Sequence, residues 1–509
     1  MGDLLLGIDI GTYSSKGVLC RPDGTILADA QTQHKISIPR IGYVEQDAES
    51  IWWTEFCQIA RQLTEDVPQG ERIIGVGVST IGACLLPVDS RGNPLRPGIL
   101  YGIDTRSGDQ IESLEDRYGR CNLIDFCGSR LTSQSIGAKI LWLKENEPDN
   151  YQDAAKFLAA SSYIIYRLTG EFVIDAHTAS EFHPLFNIKT CCWDGRYAEH
   201  ITSLDKLPAI GWGDEIAGYI TKWASEATGI PEGTPVNYGT IDALSEAVSV
   251  GVVDVGDLMI MYGSTTCLVF HVHHPVPTEE LWLETGFSKG QYEYTAGMST
   301  SGSATTWFRD CFGQDLLEDE KRTGMKAYAA LAEEAGDSPS GSNGLLVLPY
   351  LSGERTPIFD QKARGVLAGF SLNHTRGDIY RAVLEGISFA TRMNLEAMQN
   401  TGARMTHGIA VGGGTSNRLW LQIVSNVTGI PQELPEETIG ACYGDAFLAG
   451  LGVGIIKDKH AIKEQWVKIK GVVEPIDKTK PTYDKLYGLF RELYLGSQSV
   501  VHQLSEMQR

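Results

Sequence analysis

The 509-residue sequence contains no apolar run of the length that a membrane-spanning helix needs. Such a helix requires roughly 18 or more consecutive apolar residues. The first residues also lack the basic region of a secretory signal, and Leu6 breaks the pattern of an N-myristoylated terminus. We therefore expect a cytoplasmic protein with no membrane partner.

Cysteine is present, but without the spacing of a structural element. Ten cysteines are spread along the chain, no C-x-x-C occurs, and Cys191 and Cys192 are the only close pair. Scattered thiols are typical of a reducing compartment rather than of a disulfide framework. The H-E-x-x-H motif and His–Cys clusters are missing as well, which argues against a transition-metal site.

Positive charge is scarce in this chain. Lys and Arg number 43 against 64 Asp and Glu, which gives a formal net charge of −21. A general nucleic-acid-binding surface needs a basic footprint, so we expect no nucleic-acid partner. A locally positive phosphate site remains compatible with this charge. The hydrophobic share of 42% is ordinary for a globular protein.

The N-terminal stretch carries the first candidate site. An apolar run holds Asp9, breaks at Gly11-Thr12 and resumes at Gly17, which predicts two strands joined by a tight turn. Gly11 lets the backbone approach a ligand, and amide N–H groups in such a turn bind phosphate oxygens. Asp9 at the strand end suits Mg²⁺, directly or through water. The alternative is an ordinary hairpin with a solvated aspartate.

A second stretch repeats this pattern later in the chain. Residues 258–270 again contain two apolar runs, with Met261 in the place of Asp9, and the turn between them is Gly263-Ser264-Thr265. This internal repeat predicts two domains of similar fold, residues 1–250 and 251–509. Each domain would present a small-residue hairpin to a shared cleft.

A triple glycine forms the third small-residue turn. Gly412, Gly413 and Gly414 follow a short strand, and Ser416 or Asn417 would cap the next helix. Backbone without side chains could accept a flat group such as adenine, whereas the alternative is a plain capped loop. None of the three turns fits G-x-x-x-x-G-K-[ST] or G-x-G-x-x-G, so neither a P-loop nor a Rossmann site is supported.

Asp242 is the candidate catalytic base. A buried strand at residues 235–238 ends at Gly239, and Asp242 opens the next helix. The positive end of the helix dipole keeps a carboxylate there ionised and able to accept a proton. The alternative is a simple capping residue.

The order of elements indicates an α/β protein with mixed sheets. Antiparallel strands come first, followed by a helix and a strand at residues 72–78. The second half contains further strands and helices, among them helices at residues 379–398 and 442–453. An amphipathic helix at residues 483–503 would allow a homodimer.

Together, these motifs resemble the FGGY family of carbohydrate kinases, most closely its xylulokinases, from the first residues to about Gly454. The first hairpin, the loop after Tyr262 and the stretch from Val411 to Trp420 are similar to the family's two phosphate loops and its adenine-side signature. Two further blocks match the xylulokinase pattern, namely Val44-Glu45-Gln46-Asp47 and Pro349-Tyr350-Leu351-Ser352-Gly353-Glu354-Arg355-Thr356-Pro357. The order and spacing of the motifs argue against a chance match.

The resemblance implies two actin-like domains of the ribonuclease-H type around a central cleft, each with a mixed sheet flanked by helices. Sugar would bind mainly to the first domain and ATP mainly to the second. The resemblance also implies that Asp242 is the base and that Asp9 lies at the Mg²⁺–nucleotide. The nucleotide contacts that it implies are Gly11, Thr12, Gly263, Ser264, Thr265, Gly412, Gly413, Gly414, Ser416 and Asn417.

Departures from the xylulokinase pattern fall on the sugar side. Ala243 follows the predicted base where asparagine is usual, and a Gln-Met-His-Gly block is replaced by Ser79-Thr80-Ile81-Gly82. The Trp-x-Asp-x-Arg pattern appears with one extra residue at positions 101–106. The candidate sugar contacts are therefore Thr80, Ile81, Asp104 and Arg106. Because a sugar hydroxyl is normally matched by a buried polar partner, these changes bear on the substrate.

The activity that the resemblance implies is ATP-dependent phosphorylation of a sugar primary hydroxyl, most directly of D-xylulose to D-xylulose 5-phosphate. One alternative is a kinase of the same family for another ketose, polyol or sugar acid. The other is an actin-like ATPase without sugar kinase activity, because similar hairpins occur across that superfamily. The block at residues 351–357, which resembles sugar kinases specifically, argues against the second alternative.

Overall fold

A computed structural model describes residues 2–508 of the chain, which form two compact units. The first unit consists of the chain up to Val253 together with His271–Glu293 and Glu437–Lys468. The second consists of Asp254–Phe270, Tyr294–Glu436 and the chain from Ile469 onward. The units are interleaved along the sequence, whereas the internal repeat predicts a single boundary between residues 250 and 251.

Twenty-five strands lie within the described residues. In chain order they are β1 (Gly2–Ile10), β2 (Ser14–Cys20), β3 (Ile26–Gln33), β4 (Ser37–Arg40), β5 (Tyr43–Gln46), β6 (Glu71–Thr80), β7 (Leu86–Val88), β8 (Gly98–Ile99), β9 (Lys156–Leu158), β10 (Val173–Asp175), β11 (Phe186–Asn187), β12 (Cys192–Trp193), β13 (Ala209–Gly211), β14 (Ile216–Tyr219), β15 (Pro235–Asn237), β16 (Thr240–Ile241), β17 (Leu258–Tyr262), β18 (Thr266–Val272), β19 (Trp282–Thr285), β20 (Tyr292–Met298), β21 (Leu346–Leu348), β22 (Val366–Ala368), β23 (Gly408–Val411), β24 (Gln432–Pro435) and β25 (Ile469–Val473).

Sixteen α-helices accompany these strands in the same part of the chain. They are α1 (Thr54–Glu65), α2 (Gly108–Tyr118), α3 (Arg120–Cys127), α4 (Ile136–Asn146), α5 (Pro148–Asp153), α6 (Ala160–Thr169), α7 (Ala176–Ser180), α8 (Lys222–Thr228), α9 (Asp242–Ser249), α10 (Gly302–Phe312), α11 (Gln314–Thr323), α12 (Ala327–Asp337), α13 (Arg376–Gln399), α14 (Arg418–Thr428), α15 (Ala441–Gly452) and α16 (Lys480–Met507). Of the helices in residues 2–508, none combines the length and the apolar character needed to cross a membrane.

The main sheet of the first unit has the strand order β14-β15-β6-β1-β2-β3, and β16 also pairs with β6. β1 is antiparallel to β2 and parallel to β6, so the sheet is mixed, as the sequence predicts. The strand is buried from Leu4 to Ile10, which is why that stretch is apolar apart from Gly7 and Asp9 rather than alternating. The pairing register places Asp9 opposite Ser79 of β6 and Lys16 of β2.

Helix α15 lies unusually close to this sheet. A Cβ atom added at Gly7 of β1 or at Gly77 of β6 would lie 1.9 Å from a carbonyl oxygen of α15. A Cβ atom added at Gly444 of α15 would lie 2.0 Å from the carbonyl oxygen of Ser245 in α9. Glycine is required at all three positions because any side chain would push the two backbones apart. These contacts bring β1, β6, α9 and α15 together.

The second unit contains the predicted repeat of the first hairpin. β17 pairs antiparallel with β18 and parallel with β23, just as β1 pairs with β2 and β6. The strand order continues from β23 through β24 to β25. Both units therefore have a mixed sheet with a hairpin next to a parallel strand.

Candidate active site

A chain of hydrogen bonds joins the elements that meet in the first unit. The Ser79 hydroxyl donates to Asp445 Oδ2 at 2.7 Å and lies 3.1 Å from Asp9 Oδ1. The Ser245 hydroxyl of α9 donates to the other oxygen of Asp445 at 2.6 Å. Asp445 and Asp9 are both buried. The two hydroxyls thus hold two carboxyl groups at the carboxyl ends of β1 and β6.

Asp242 is the first residue of α9, as predicted, but it is not the capping residue. The N-cap position belongs to Ile241. Burial raises the pKa of Asp242 to about 6, although its own N–H group and that of Ala243 oppose this rise. The side chain is only half-buried. At neutral pH, Asp242 is therefore largely ionised and still open to a ligand.

The neighbouring carboxyl groups are also shifted toward their neutral forms. Burial, followed by the negative charges of Asp242 and Asp445, raises the pKa of Asp9 well above its ordinary value. Burial raises the pKa of Asp445 to about 8 and that of Glu246 to about 7, and Lys16 opposes the second shift. Carboxylates held this close repel one another, so the site favours a cation or a proton.

The first glycine turn is braced from behind by side chains that the sequence analysis missed. Gln46 donates to the Thr12 carbonyl oxygen at 2.9 Å, and His34 Nε2 lies 3.1 Å from the carbonyl oxygens of Gly11 and Thr12. The Gly11 N–H donates to the Ser14 carbonyl oxygen at 3.0 Å and thereby closes the turn. In this structure the Gly11 amide therefore shapes the turn rather than pointing to a ligand.

The second glycine turn has the same construction. The Gly263 N–H donates to the Thr265 carbonyl oxygen at 3.0 Å. Two amides next to the start of α10, those of Ser301 and Gly302, donate to carbonyl oxygens of this turn. Ser264 and Thr265 are exposed. The turn backbone is thus fixed by hydrogen bonds, while the side chains of Ser264 and Thr265 remain accessible to solvent.

The triple glycine lies beside the second hairpin. Gly412 has a φ of +89°, and a Cβ atom there would lie 2.8 Å from the carbonyl oxygen of Tyr262 at the end of β17. Gly413 has open space around it. Of the two predicted caps, Asn417 is the one that caps α14, by accepting a hydrogen bond from the Trp420 N–H at 3.1 Å. Ser416 is exposed.

The candidate sugar contacts are all buried, and two of them already use their hydrogen-bonding groups within the protein. Arg106 forms a buried ion pair with Asp104 at 2.7 Å, and Asp104 Oδ2 also accepts from the Val44 N–H at 2.7 Å. Thr80 and Ile81 are buried beside Asp9 at the end of β6, where the Ile81 N–H donates to the Ile10 carbonyl oxygen. Arg106 also pairs with Glu45 at 2.8 Å, so the hydrogen-bonding groups of Asp104 and Arg106 are largely used within the protein.

Asp445 is the principal residue that sequence reasoning missed. Its helix is otherwise apolar or small, as the sequence Ala-Cys-Tyr-Gly-Asp-Ala-Phe-Leu-Ala-Gly shows. Burying a single carboxylate in such a helix is unfavourable unless hydrogen-bond donors compensate it. An isolated Asp in this apolar helix was therefore the sequence signal that could have identified Asp445 as a functional residue. Glu181 was also missed, although it accepts from the Ala83 N–H at 3.1 Å next to the candidate sugar residues.

Comparison with known proteins agrees with this arrangement. The N-terminal domain of the FGGY family of carbohydrate kinases matches residues 4–249, and the C-terminal domain of that family matches residues 258–453. The xylulose kinase of Staphylococcus xylosus is 25% identical over 507 residues, which cover 96% of this chain and 99% of the relative. The gluconokinase of Bacillus subtilis is 25% identical over 519 residues, covering 100% and 99%.

A solved structure extends the comparison to the fold. The crystal structure of xylulose kinase from Rhodospirillum rubrum matches with a TM-score of 0.91 and 27% identity, covering 98% of this chain and 100% of that one. The predicted fold is thereby confirmed as the actin-like, ribonuclease-H-type α/β fold with two domains. The chain belongs to the FGGY family and is a carbohydrate kinase.

Proposed function

We propose that this carbohydrate kinase transfers the γ-phosphoryl group of ATP to the primary hydroxyl of D-xylulose and forms D-xylulose 5-phosphate. The observation that carries the proposal is Asp242, a half-buried carboxylate that begins α9 within electrostatic range of Asp9. The substrate is suggested by relatives. Xylulose kinases of Staphylococcus xylosus and Bacillus subtilis are 25% and 26% identical over 96% and 97% of this chain.

Asp242 is proposed as the general base. With a pKa of about 6 it is largely ionised at neutral pH, and it can take the proton of the attacking hydroxyl. A base whose pKa lies near the working pH combines a high ionised fraction with useful basicity. Its position at a helix N-terminus stabilises the ionised form.

Asp9 is proposed to hold Mg²⁺ through water. The residues fit such an ion, because the charge of Asp242 opposes ionisation of Asp9 and a divalent cation offsets that repulsion. Mg²⁺ keeps several waters and takes only one or two carboxylates, which suits a cluster of this kind. When bound, ATP supplies the transferred group and Mg²⁺ neutralises phosphate charge.

The glycine turns are proposed to bind the nucleotide. In the first unit the turn residues are Gly11 and Thr12. In the second unit they are Gly263, Ser264 and Thr265 for the phosphates and Gly412, Gly413, Gly414, Ser416 and Asn417 for the adenine side. The exposure of Ser264, Thr265 and Gly413 supports this assignment.

A different sugar is the second candidate. A gluconokinase of Bacillus subtilis has the same 25% identity to the chain as the xylulose kinase of Staphylococcus xylosus, and glycerol kinase 2 of Streptomyces avermitilis is 29% identical over 91% of the chain. The observation that favours this candidate is the apolar Ile81, which is buried at the end of β6 and donates its N–H to the Ile10 carbonyl oxygen. The alternative of an ATPase that acts on no sugar is not supported, because the family is one of carbohydrate kinases.

The test is ADP formation from ATP and Mg²⁺ with D-xylulose, D-ribulose, glycerol, erythritol and gluconate in parallel. We expect the highest kcat/KM with D-xylulose and a loss in Asp242→Asn of at least about 10²-fold in kcat, with ATP binding retained. Asp23→Asn, at an exposed aspartate, is the matched control and should keep full activity. A higher kcat/KM with another compound would assign that compound as the substrate in place of D-xylulose. Full turnover by the Asp242 variant would disprove the role of Asp242 as the base.

A further inference from the structure

Four ionisable side chains from separate segments meet inside the first unit, and none of them is a carboxylate of the proposed active site. His177 lies in α7, His271 near the end of β18, Glu284 in β19 and Glu293 in β20. Each is 3% exposed or less. We call these four residues the His177 cluster. No loop motif in the sequence links them, because the fold alone brings them together.

The geometry of the His177 cluster suits a bound cation. One donor atom each from His177, Glu284 and Glu293 all lie within 4.8 Å of one another. His177 Nδ1 lies 2.6 Å from the Thr285 carbonyl oxygen, so this nitrogen carries the proton and Nε2 keeps its lone pair. Nε2 is 4.0 Å from Glu284 Oε2. Metal bonds of about 2.0–2.2 Å place tetrahedral ligands about 3.3–3.6 Å apart, so only small shifts are needed.

Several of these buried atoms have no hydrogen bond. Among residues 2–508, His177 Nε2, His271 Nε2 and both carboxylate oxygens of Glu293 lack a hydrogen-bond partner. Glu293 lies between the two imidazoles, with Oε2 3.2 Å from His271 Nε2 and Oε1 3.3 Å from His177 Nδ1. Buried polar atoms are normally satisfied by hydrogen bonds, so four such atoms within one cluster point to a missing ligand.

The charges around the cluster also call for a cation. Asp175 and Glu181 face it in addition to Glu284 and Glu293, since Asp175 acts on the charge of His177 and Glu181 shares a hydrogen bond with Glu284. The positive charge that acts on Glu181 is that of Lys139. Four carboxyl groups in a buried space are unfavourable without further positive charge.

We propose that the His177 cluster binds one divalent transition-metal ion, in the first instance Zn²⁺. Nε2 of His177 and the carboxylates of Glu284 and Glu293 would be the ligands, and His271 would orient Glu293 from behind. An imidazole with two carboxylates suits Zn²⁺, Mn²⁺ or Fe²⁺ better than Mg²⁺. The Thr285 carbonyl fixes the ring of His177, which is the usual way in which a ligating histidine is oriented. Because the site is buried, the ion would stabilise the first unit and take no part in phosphoryl transfer.

The first test uses the full-length protein and the metal alone. The protein is stripped with EDTA, incubated with Zn²⁺ or Co²⁺, desalted and analysed for metal by mass spectrometry. We expect about one ion per chain, a visible Co²⁺ spectrum of low coordination number, and a rise in Tm on adding Zn²⁺. A chain that retains no metal and whose Tm responds neither to Zn²⁺ nor to EDTA overturns the proposal, and the cluster is then a proton-sharing network.

The second test separates metal binding from general loss of stability. Glu293→Gln removes one ligand charge at constant size and should weaken Co²⁺ binding by at least about tenfold. Glu385→Gln in the second unit is the matched control, because Glu385 is equally buried and hydrogen-bonded to Arg381 and Tyr483. The control should lower Tm but retain wild-type Co²⁺ affinity. Unchanged Co²⁺ affinity in the Glu293 variant would contradict the assignment.

Discussion

At the residue scale, two neighbouring carboxyl groups take different protonation states because their surroundings differ. Asp242 is half-buried with a pKa of about 6, and Asp445 is fully buried with a pKa of about 8. Near pH 7 the first is largely ionised and the second largely protonated. Such a division assigns the base role to one group and a hydrogen-bonding role to the other.

The first prediction concerns the pH dependence of the reaction. Only the ionised form of Asp242 can accept a proton, so kcat/KM for the sugar should fall about tenfold per pH unit below pH 6 and level off above it. Initial rates of ADP formation between about pH 4.5 and 8 measure this decrease below pH 6. The residual activity of Asp242→Asn should not show the decrease. A flat profile of the wild-type protein through pH 6 would contradict the prediction.

The second prediction concerns stability at Asp445. Its folded-state pKa of about 8 lies above the ordinary value of 3.8, so folding takes up a proton. The associated stabilisation is fully present below about pH 4 and is lost as the pH rises through about 8. We measure the free energy of unfolding in urea between about pH 5 and 8.5. It should decrease less with rising pH in Asp445→Asn than in the wild-type protein. Asp116→Asn, at an exposed aspartate of α2, should keep the wild-type slope, and equal slopes in all three would refute the argument.

At the element scale, close approach of α15 to the sheet positions the acidic cluster. The helix backbone contacts β1 and β6 at glycines, and its carboxylate Asp445 then reaches the Ser79 hydroxyl at 2.7 Å. A shift of α15 by even one methyl radius would lengthen that bond. Small residues at these positions are therefore needed for the site as well as for packing.

Gly77→Ala tests this contact. The added Cβ would lie 1.9 Å from the Asp445 carbonyl oxygen, so the backbones must separate, and we expect a loss of about 1–3 kcal/mol in the free energy of unfolding. Sugar kinase activity should fall as well. Gly488→Ala is the control, since a Cβ atom added at Gly488 in α16 would meet no atom within 4 Å outside its own helix turn, and the change should stabilise the helix by up to about 1 kcal/mol. Equal effects of the two substitutions on chemical denaturation would argue against the close contact.

At the scale of the whole molecule, the chain returns to the first unit twice after leaving it. Residues His271–Glu293 and Glu437–Lys468 both pack there. The second of these segments includes α15, whose Phe447 joins a buried cluster with Leu5 and Val18. The first unit is therefore completed only when distant parts of the chain are present.

A fragment of residues 1–253 should consequently fail to fold by itself. Without α15, the buried cluster that Leu5 and Val18 share with Phe447 would be incomplete and partly exposed to water. We expect thermal unfolding followed by circular dichroism to show no cooperative transition for the fragment, in contrast to the full chain. A cooperative transition in the fragment would favour the single boundary at residues 250 and 251 that the internal repeat predicts.

Local patterns identified the parts of the site that depend on neighbouring residues. The turn at Gly11 and the helix start at Asp242 follow from short runs of apolar, small and acidic residues, and the structure has both. The role of Asp445 depends on Ser79 and Ser245, which lie far away in sequence. The predicted sugar contacts Asp104 and Arg106 mainly bind each other, which a spacing of two residues does not reveal.

The sequence by itself determined the family, the mixed α/β fold and the two hairpins, because motif order and apolar patterning are local properties that survive at 25% identity. Tertiary structure alone decided which carboxyl groups share a buried site, how far their pKa values shift, and that His177 meets Glu284 and Glu293. Burial and electrostatic repulsion depend on distances in space between residues far apart in the chain. Those distances exist only after the strands and helices have packed.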